Sequence, residues 1–184
     1  NVRLIKTLPD DMLHLRSKDS VNVGRWYQAG FTYDGTGRAE GLRIYLDGRV
    51  IDHTVENDNL RGNIYPANFY AWQEGNARKL RMGSSYRSFT GENGLYIGLL
   101  DDVRLFNRSL TELEMNKMIV PDGPIETALA EAHLLRKSPA YLSAIDRFRD
   151  ILAQWVAIAD TLPRLMVSEE MPATRTTYVL NRGA

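Results

Sequence analysis

The sequence predicts a mostly β fold with a helical C-terminal part, an antiparallel β-sandwich followed by two to three helices. Three observations carry this. Twelve of the 14 glycines fall in residues 1–120 of the 184-residue chain, a density that marks frequent tight turns between short strands. In the same half, apolar and polar residues alternate at period two and stop at turn dipeptides. Beyond residue 120 the spacing of apolar residues changes to three and four, the period of a helix.

The elements follow in order. Val2, Leu4 and Leu8 are separated by polar residues, and Met12, Leu13 and Leu15 precede a polar turn at Ser17–Ser20. Trp26–Tyr33 reads as a strand ending at Asp34-Gly35, with Trp26 expected in the core. Leu42, Ile44 and Leu46 alternate with Arg43, Tyr45 and Asp47 before the turn pair Asp47-Gly48, and Val50–Val55 is expected as the other arm of that hairpin. Leu80–Gly83, Leu95–Leu100 and Val103–Phe106 complete about eight expected strands. Thr111 and Glu114 have the spacing of a capping box that opens a short helix containing Leu113 and Met118. Pro121-Asp-Gly-Pro124 breaks it. A second helix is expected from Pro124 to about Arg136, and a third from Ser138-Pro139 to about Leu162. The third carries Tyr141, Ile145, Phe148, Leu152, Trp155, Ala159 and Leu162 on one seam, which needs a partner surface. The chain thus divides into 1–120, a helical hairpin or linker over 121–162, and 163–184 as the start of a following domain.

Composition excludes several function classes. Hydrophobic residues make up 43% and charged residues 25%, and 23 basic residues balance 23 acidic ones. No basic excess points to nucleic acid, and no apolar run is long enough to span a membrane. Without cysteine there is no disulfide, thiolate metal site or thiol nucleophile. The chain opens on Asn1 with no leader, so it is expected to be a piece of something longer.

Three stretches carry a family resemblance. Gly24–Gly35 resembles the "W-hydrophobic-x-x-T-Y-D-G" strand of laminin-G-like, concanavalin A-like domains, and Leu42–Gly48 resembles the "x-I-Y-V-D-G" hairpin that follows it. Gly98–Thr111 resembles the closing "G-x-I-D-D-V-R-I-Y-N-R-A-L-S" strand and its helix entry. Together they cover roughly residues 22–118 and imply a concanavalin A-like jelly roll. A complete sandwich of this kind places several more strands before the Trp26 strand, where this chain has 25 residues. The resemblance therefore implies a sandwich lacking N-terminal strands, with edges open to pairing. The tail from Leu165 to Gly183 resembles the opening of a domain of unknown function in large planctomycete proteins that also carry a cytochrome c-like domain, and Gly37–Gly41 resembles a feature of that branch. That likeness implies an extracytoplasmic setting, periplasmic or cell-surface.

Catalysis finds little support. Glycoside hydrolysis needs two carboxylates about 5–9.5 Å apart across a cleft, and the E-x-D-x-x-E pattern of concanavalin A-like glycosidases is missing. Asp101 and Asp102 are adjacent on an expected strand and would point to opposite faces, one accepting backbone or arginine hydrogen bonds. His14, His53 and His133 lack metal-ligand spacing and are expected as surface or strand residues. Neither G-x-S-x-G nor a P-loop occurs. No catalytic residue is assigned.

Two binding features remain. Tyr65, Phe69, Tyr70 and Trp72 lie among asparagines and are followed by Arg78, Lys79, Arg81 and Arg87. Flat rings beside amides suit sugars, and the cations favour acidic glycans; the alternative is that the rings cover the sandwich. The second feature is calcium, which many concanavalin A-like domains hold on the rim. Asp34, Asp47, Asp58, Asn93 and Asp101 could supply oxygens, but no dense D-x-D-x-D loop occurs and turn chemistry also explains Asp34-Gly35 and Asp47-Gly48. Ca²⁺ is the one cofactor left open.

The leading functional expectation is a non-catalytic recognition module of a larger exported bacterial protein, meeting carbohydrate or protein. The alternatives are a structural spacer between flanking domains and an accessory part of an enzyme whose active site lies elsewhere. Further partners expected are the flanking domains and a second copy, through open edges or the helical seam. Solvent-facing rings at 65–72 would favour recognition, and buried ones the spacer.

Overall fold

The computed structural model describes residues 1–7, 11–62, 64, 82–83 and 96–162. Among them are six strands in two three-stranded antiparallel sheets and three helices near the C-terminal end. The first sheet orders β1 (Val2–Thr7), β2 (Asp11–Ser17) and β6 (His53–Asn59) as β1-β2-β6. The second orders β3 (Ala29–Tyr33), β4 (Leu42–Leu46) and β5 (Arg49–Val50) as β3-β4-β5. Among the described residues this is an antiparallel sandwich with fewer strands than a full jelly roll.

Leu4, Leu13 and Leu15 of the first sheet pack with Leu42 and Ile44 of the second, and Ala39 and Leu60 close the edge of this core. Pleating sends Leu42 and Ile44 to this face, as their alternation predicts. Tyr45, on the opposite face, is also fully buried, at 0% exposure, because Leu110 and Met115 cover it. The second sheet is thus covered on both sides. Met115 belongs to α1 (Glu112–Lys117), whose capping box forms as the spacing predicts. The Thr111 backbone N–H donates to Glu114 Oε2 at 2.8 Å, and the Glu114 N–H donates to Thr111 Oγ1 at 3.3 Å.

The Asp47-Gly48 hairpin is present. Both residues have positive φ, 48° and 78°, the signature of the type I′ turn that matches strand twist. Asp47 also clasps the start of β3, its Oδ1 accepting from the Gln28 N–H at 3.0 Å.

Four expectations are corrected. Trp26 is 62% exposed and outside any strand. The ladder to β4 begins only at Ala29, paired with Leu46, so no pleat directs Trp26 inward. Val50–Val55 is not one arm. Val50 ends β5 in the second sheet, the chain crosses at Ile51-Asp52, and β6 begins at His53 in the first sheet. Residues 96–106 contain no strand, because no described segment pairs with them, although the Tyr96 N–H donates to Gly83 O at 2.8 Å. Ile97, Leu99, Leu105 and Phe106 are exposed. The second and third helices are shorter than expected. α2 runs Thr127–Lys137 and α3 runs Pro139–Ala159, with Ser138 capping α3 through a 3.2 Å bond from the Tyr141 N–H. The expected strand residues 80, 81 and 95 lie outside the described residues.

α3 does not rely on α2 for its partner. Leu152 and Val156 face the sandwich rim at Gly37 and Gly62, where an added Cβ would stand 3.2 Å from Leu152 Cδ2 and 3.0 Å from Val156 Cγ1. Arg149 Nε donates to the Asp34 carbonyl at 2.7 Å, and Lys6 Nζ pairs with Asp160 at 2.7 Å. Next to this stripe, Ile151, Trp155, Ile158 and Leu162 remain exposed.

Candidate functional site

The rim contact leaves a cleft of about 190 Å³ between the sandwich and α3. Thr36, Gly37 and Arg38 form one wall, Asn59, Leu60 and Arg61 a second, and Phe148, Leu152 and Trp155 of α3 the third. Each wall is fixed by local chemistry. Asp34 Oδ1 accepts from the Thr36 N–H at 3.0 Å and the Thr36 hydroxyl at 2.7 Å, an Asx turn that shapes the first wall. The Gly37 N–H donates to the Tyr33 hydroxyl at 2.7 Å, and burial raises the Tyr33 pKa. Gly37 holds φ +72°, and an added Cβ would collide with the Leu60 carbonyl oxygen. No larger residue lets these two walls approach so closely.

The second wall is held from behind by Asp11, which is 1% exposed. Its Oδ1 accepts from the Arg61 N–H at 2.7 Å, while its Oδ2 has no hydrogen bond and stands 4.0 Å from Lys6 Nζ. The Arg61 side chain turns to the cleft, with Nε on Asn59 Oδ1 at 3.1 Å and its guanidinium carbon 5.9 Å from the centroid of the Trp155 ring. Trp155 and Phe148 are about half exposed, at 47% and 44%. The cleft is therefore lined by two aromatic residues, two arginines and a threonine around one small hollow. Among the described residues that line it there is no carboxylate pair and no nucleophile beside a base.

A family model described as the concanavalin A-like lectin/glucanases superfamily matches residues 9–116, more than half of the chain. The chain belongs to that superfamily. No curated protein matches it. Among solved structures it is similar to residues 221–444 of an S-layer domain-containing protein from Clostridium thermocellum ATCC 27405, at 19% identity and a TM-score of 0.36. The match covers 56% of this chain and less than half, 43%, of that one. At that score the likeness says nothing about function.

In this concanavalin A-like chain, Tyr65, Tyr70, Trp72, Arg78, Arg81 and Asn93 of the sequence-predicted sites lie outside the described residues. Asp34, Asp47 and Asp58 each close backbone: Asp34 on Thr36, Asp47 on Gln28, and Asp58 Oδ1 on the Ala39 N–H at 2.7 Å. Asp101 Oδ1 accepts from the Asp102 N–H at 2.8 Å, and Asp102 pairs with Arg104 at 2.7 Å. Among the described residues no three His, Asp or Glu side chains gather as a metal site would require. The described carboxylates do not fit a calcium site.

Two polar clusters elsewhere serve the fold. His14, buried in β2, accepts from Arg3 Nε at its Nε2 (3.0 Å) and faces Glu56 through Nδ1 (3.0 Å). That pattern fixes a neutral ring with the proton on Nδ1, and burial, Arg3 and Arg16 lower its pKa despite Glu56. His133 Nδ1 lies 2.8 Å from Thr111 Oγ1, but Glu114 bonds the threonine rather than the imidazole, so no triad forms. Burial would raise the pKa of Glu114, but Arg108, the Thr111 N–H and Lys137 outweigh it and hold the carboxyl at about 2.

The sequence reading missed the cleft. It placed Phe148, Leu152 and Trp155 on one seam that needs a partner surface but did not say which surface that is. Thr36, Arg38, Asn59 and Arg61 sit in and beside loops with no periodic signal.

Proposed function

We propose that this domain is a non-catalytic recognition module of a larger exported bacterial protein and that its ligand is carbohydrate. The observation that supports this best is the cleft at the seam with α3. A sugar ring stacks its C–H face on an indole or phenyl ring while side-chain donors and acceptors take its hydroxyls. Trp155 and Phe148 provide the rings, and Thr36, Arg38 and Arg61 the polar groups. Membership in a superfamily described by its lectins and glucanases agrees with this reading. The hollow is smaller than the ~300 Å³ at which enclosed small-molecule sites begin, so it suits one residue of a longer polymer.

A glycan array and a polysaccharide pull-down with the whole chain test this, with and without Ca²⁺. Trp155→Ala and Trp72→Ala run beside the parent, the second probing the aromatic run outside the described residues. Binding lost in Trp155→Ala with the fold retained supports the cleft. Binding lost only in Trp72→Ala moves the site to that run. A folded chain that retains nothing favours a structural spacer, for which the exposed Ile151, Ile158 and Leu162 on α3 supply an interface.

A further inference from the structure

We propose that the cleft takes an acidic sugar residue, a pyranose carrying a carboxylate or sulfate, gripped between Arg38 and Arg61 over the Trp155 ring. This rests on the carbohydrate reading and adds the sign of charge that the ligand must bring. Ion pairing in the neighbourhood points to it. Lys6 and Arg149, which border the rim contact, each have a carboxylate oxygen within 3.0 Å. Arg38 and Arg61, on the two sandwich walls of the cleft, have none among the described residues. Arg61 commits its Nε to Asn59, and its guanidinium carbon lies 5.9 Å from the centroid of the Trp155 ring.

The nearby acids do not compete. Asp34, Asp58 and Asp11 each hold a backbone N–H, of Thr36, Ala39 and Arg61. Two guanidinium forks with no carboxylate match the oxygens of a carboxylate or sulfate, each bond charge-assisted. A neutral sugar offers these forks hydroxyl oxygens alone, without the charge assistance of an anion. The indole beside Arg61 selects a ring over a bare anion, because it offers a flat apolar face to C–H groups.

The test uses the whole chain in affinity electrophoresis through polygalacturonate, dextran sulfate, neutral dextran and, as an anion without sugar, polyglutamate. Arg38→Gln and Arg61→Gln are compared with Lys18→Gln, an exposed cation away from the cleft, and thermal melts establish that each variant is folded. Retardation by one or both acidic polysaccharides is expected, with polygalacturonate and dextran sulfate separating carboxylate from sulfate. Each cleft arginine variant should weaken it about tenfold or more, and Lys18→Gln should leave it unchanged. Added salt should weaken it as well.

Equal retardation by neutral dextran, unaffected by either arginine variant, overturns the charge assignment and leaves the carbohydrate reading standing. Equal retardation by polyglutamate overturns the sugar part. A folded chain retarded by none of the four overturns both.

Discussion

Lys6 Nζ lies 2.7 Å from Asp160 Oδ2 although 154 positions separate the two residues, joining the end of the first strand to the C-terminal cap of the longest helix. The pair borders the buried Asp11, whose unbonded Oδ2 faces the same ammonium at 4.0 Å. It is the polar end of the contact that sets α3 against the rim and so builds one wall of the cleft.

Breaking that pair should loosen the helix more than it harms the fold. Lys6→Met or Asp160→Asn is expected to lower global stability by about 0.2–1 kcal/mol, the range of exposed ion pairs. The amides of the last turns of α3 should exchange faster while those of β2 are unchanged. Uniform acceleration across the sheet would show that the pair supports the sandwich itself.

Gly37→Ala should be among the more damaging single changes. The residue holds φ +72°, and a Cβ there meets the Leu60 carbonyl oxygen and Leu152 Cδ2. Left-handed backbone at a non-glycine residue costs about 1–3 kcal/mol, and relieving the collision must part the cleft walls. A drop of several degrees in melting temperature together with loss of glycan retention is expected. An unchanged melt would mean that the loop relaxes freely.

Acid should unsettle the first sheet through His14. Its pKa is lowered from 6.5 by burial and by Arg3 and Arg16, with Glu56 opposing. Between that lowered value and 6.5 the unfolded chain binds more protons than the folded one, so stability falls as pH drops through this window. Melting temperatures from pH 7 to 5 should decline, and His14→Gln should flatten the decline. A variant that tracks the parent assigns the slope to other groups.

Glu114 acts in a lower window. Its carboxyl, normally near 4.5, is held at about 2 by Arg108, the Thr111 N–H and Lys137. A depressed carboxylate stabilises fully above its unfolded value and loses this as pH falls from about 4.5 through about 2. With a tenfold change in proton affinity worth about 1.4 kcal/mol, the charged form contributes on the order of 3 kcal/mol at neutral pH. Glu114→Gln should lose most of that and titrate flat in the acid range. Thr111→Ala, which removes the capping hydroxyl together with its contact to His133, should cost about 1 kcal/mol or more.

How much was legible in the sequence depended on how local each cause is. The capping box, the Asp47-Gly48 turn and the Ser138-Pro139 helix start need only neighbours within four positions, and all three formed. The burial of Tyr45 was not legible, because alternation reports one covered face and says nothing of Met115, 70 positions later, covering the other. Trp26 resembled a core residue by its motif, yet the ladder that would bury it begins three residues later. The cleft was illegible for the same reason. Its walls meet only once α3 lies on the rim, and Arg38 and Trp155 share no spacing that a pattern could reveal. Only the apolar half of the site, Phe148, Leu152 and Trp155, left a mark as a seam.

α3 lies on its neighbour as a strip fastened at successive points: Asp160 on Lys6, Val156 by Gly62, Trp155 by Arg61, Leu152 by Gly37 and Arg149 on the Asp34 carbonyl. None of its residues is fully buried. Traction on the chain beyond Leu162 would therefore lift this strip from its far end, one fastening after another. The aromatic wall would come away before the Arg149 anchor does. The cleft, one wall of which α3 supplies, lasts only as long as those fastenings hold.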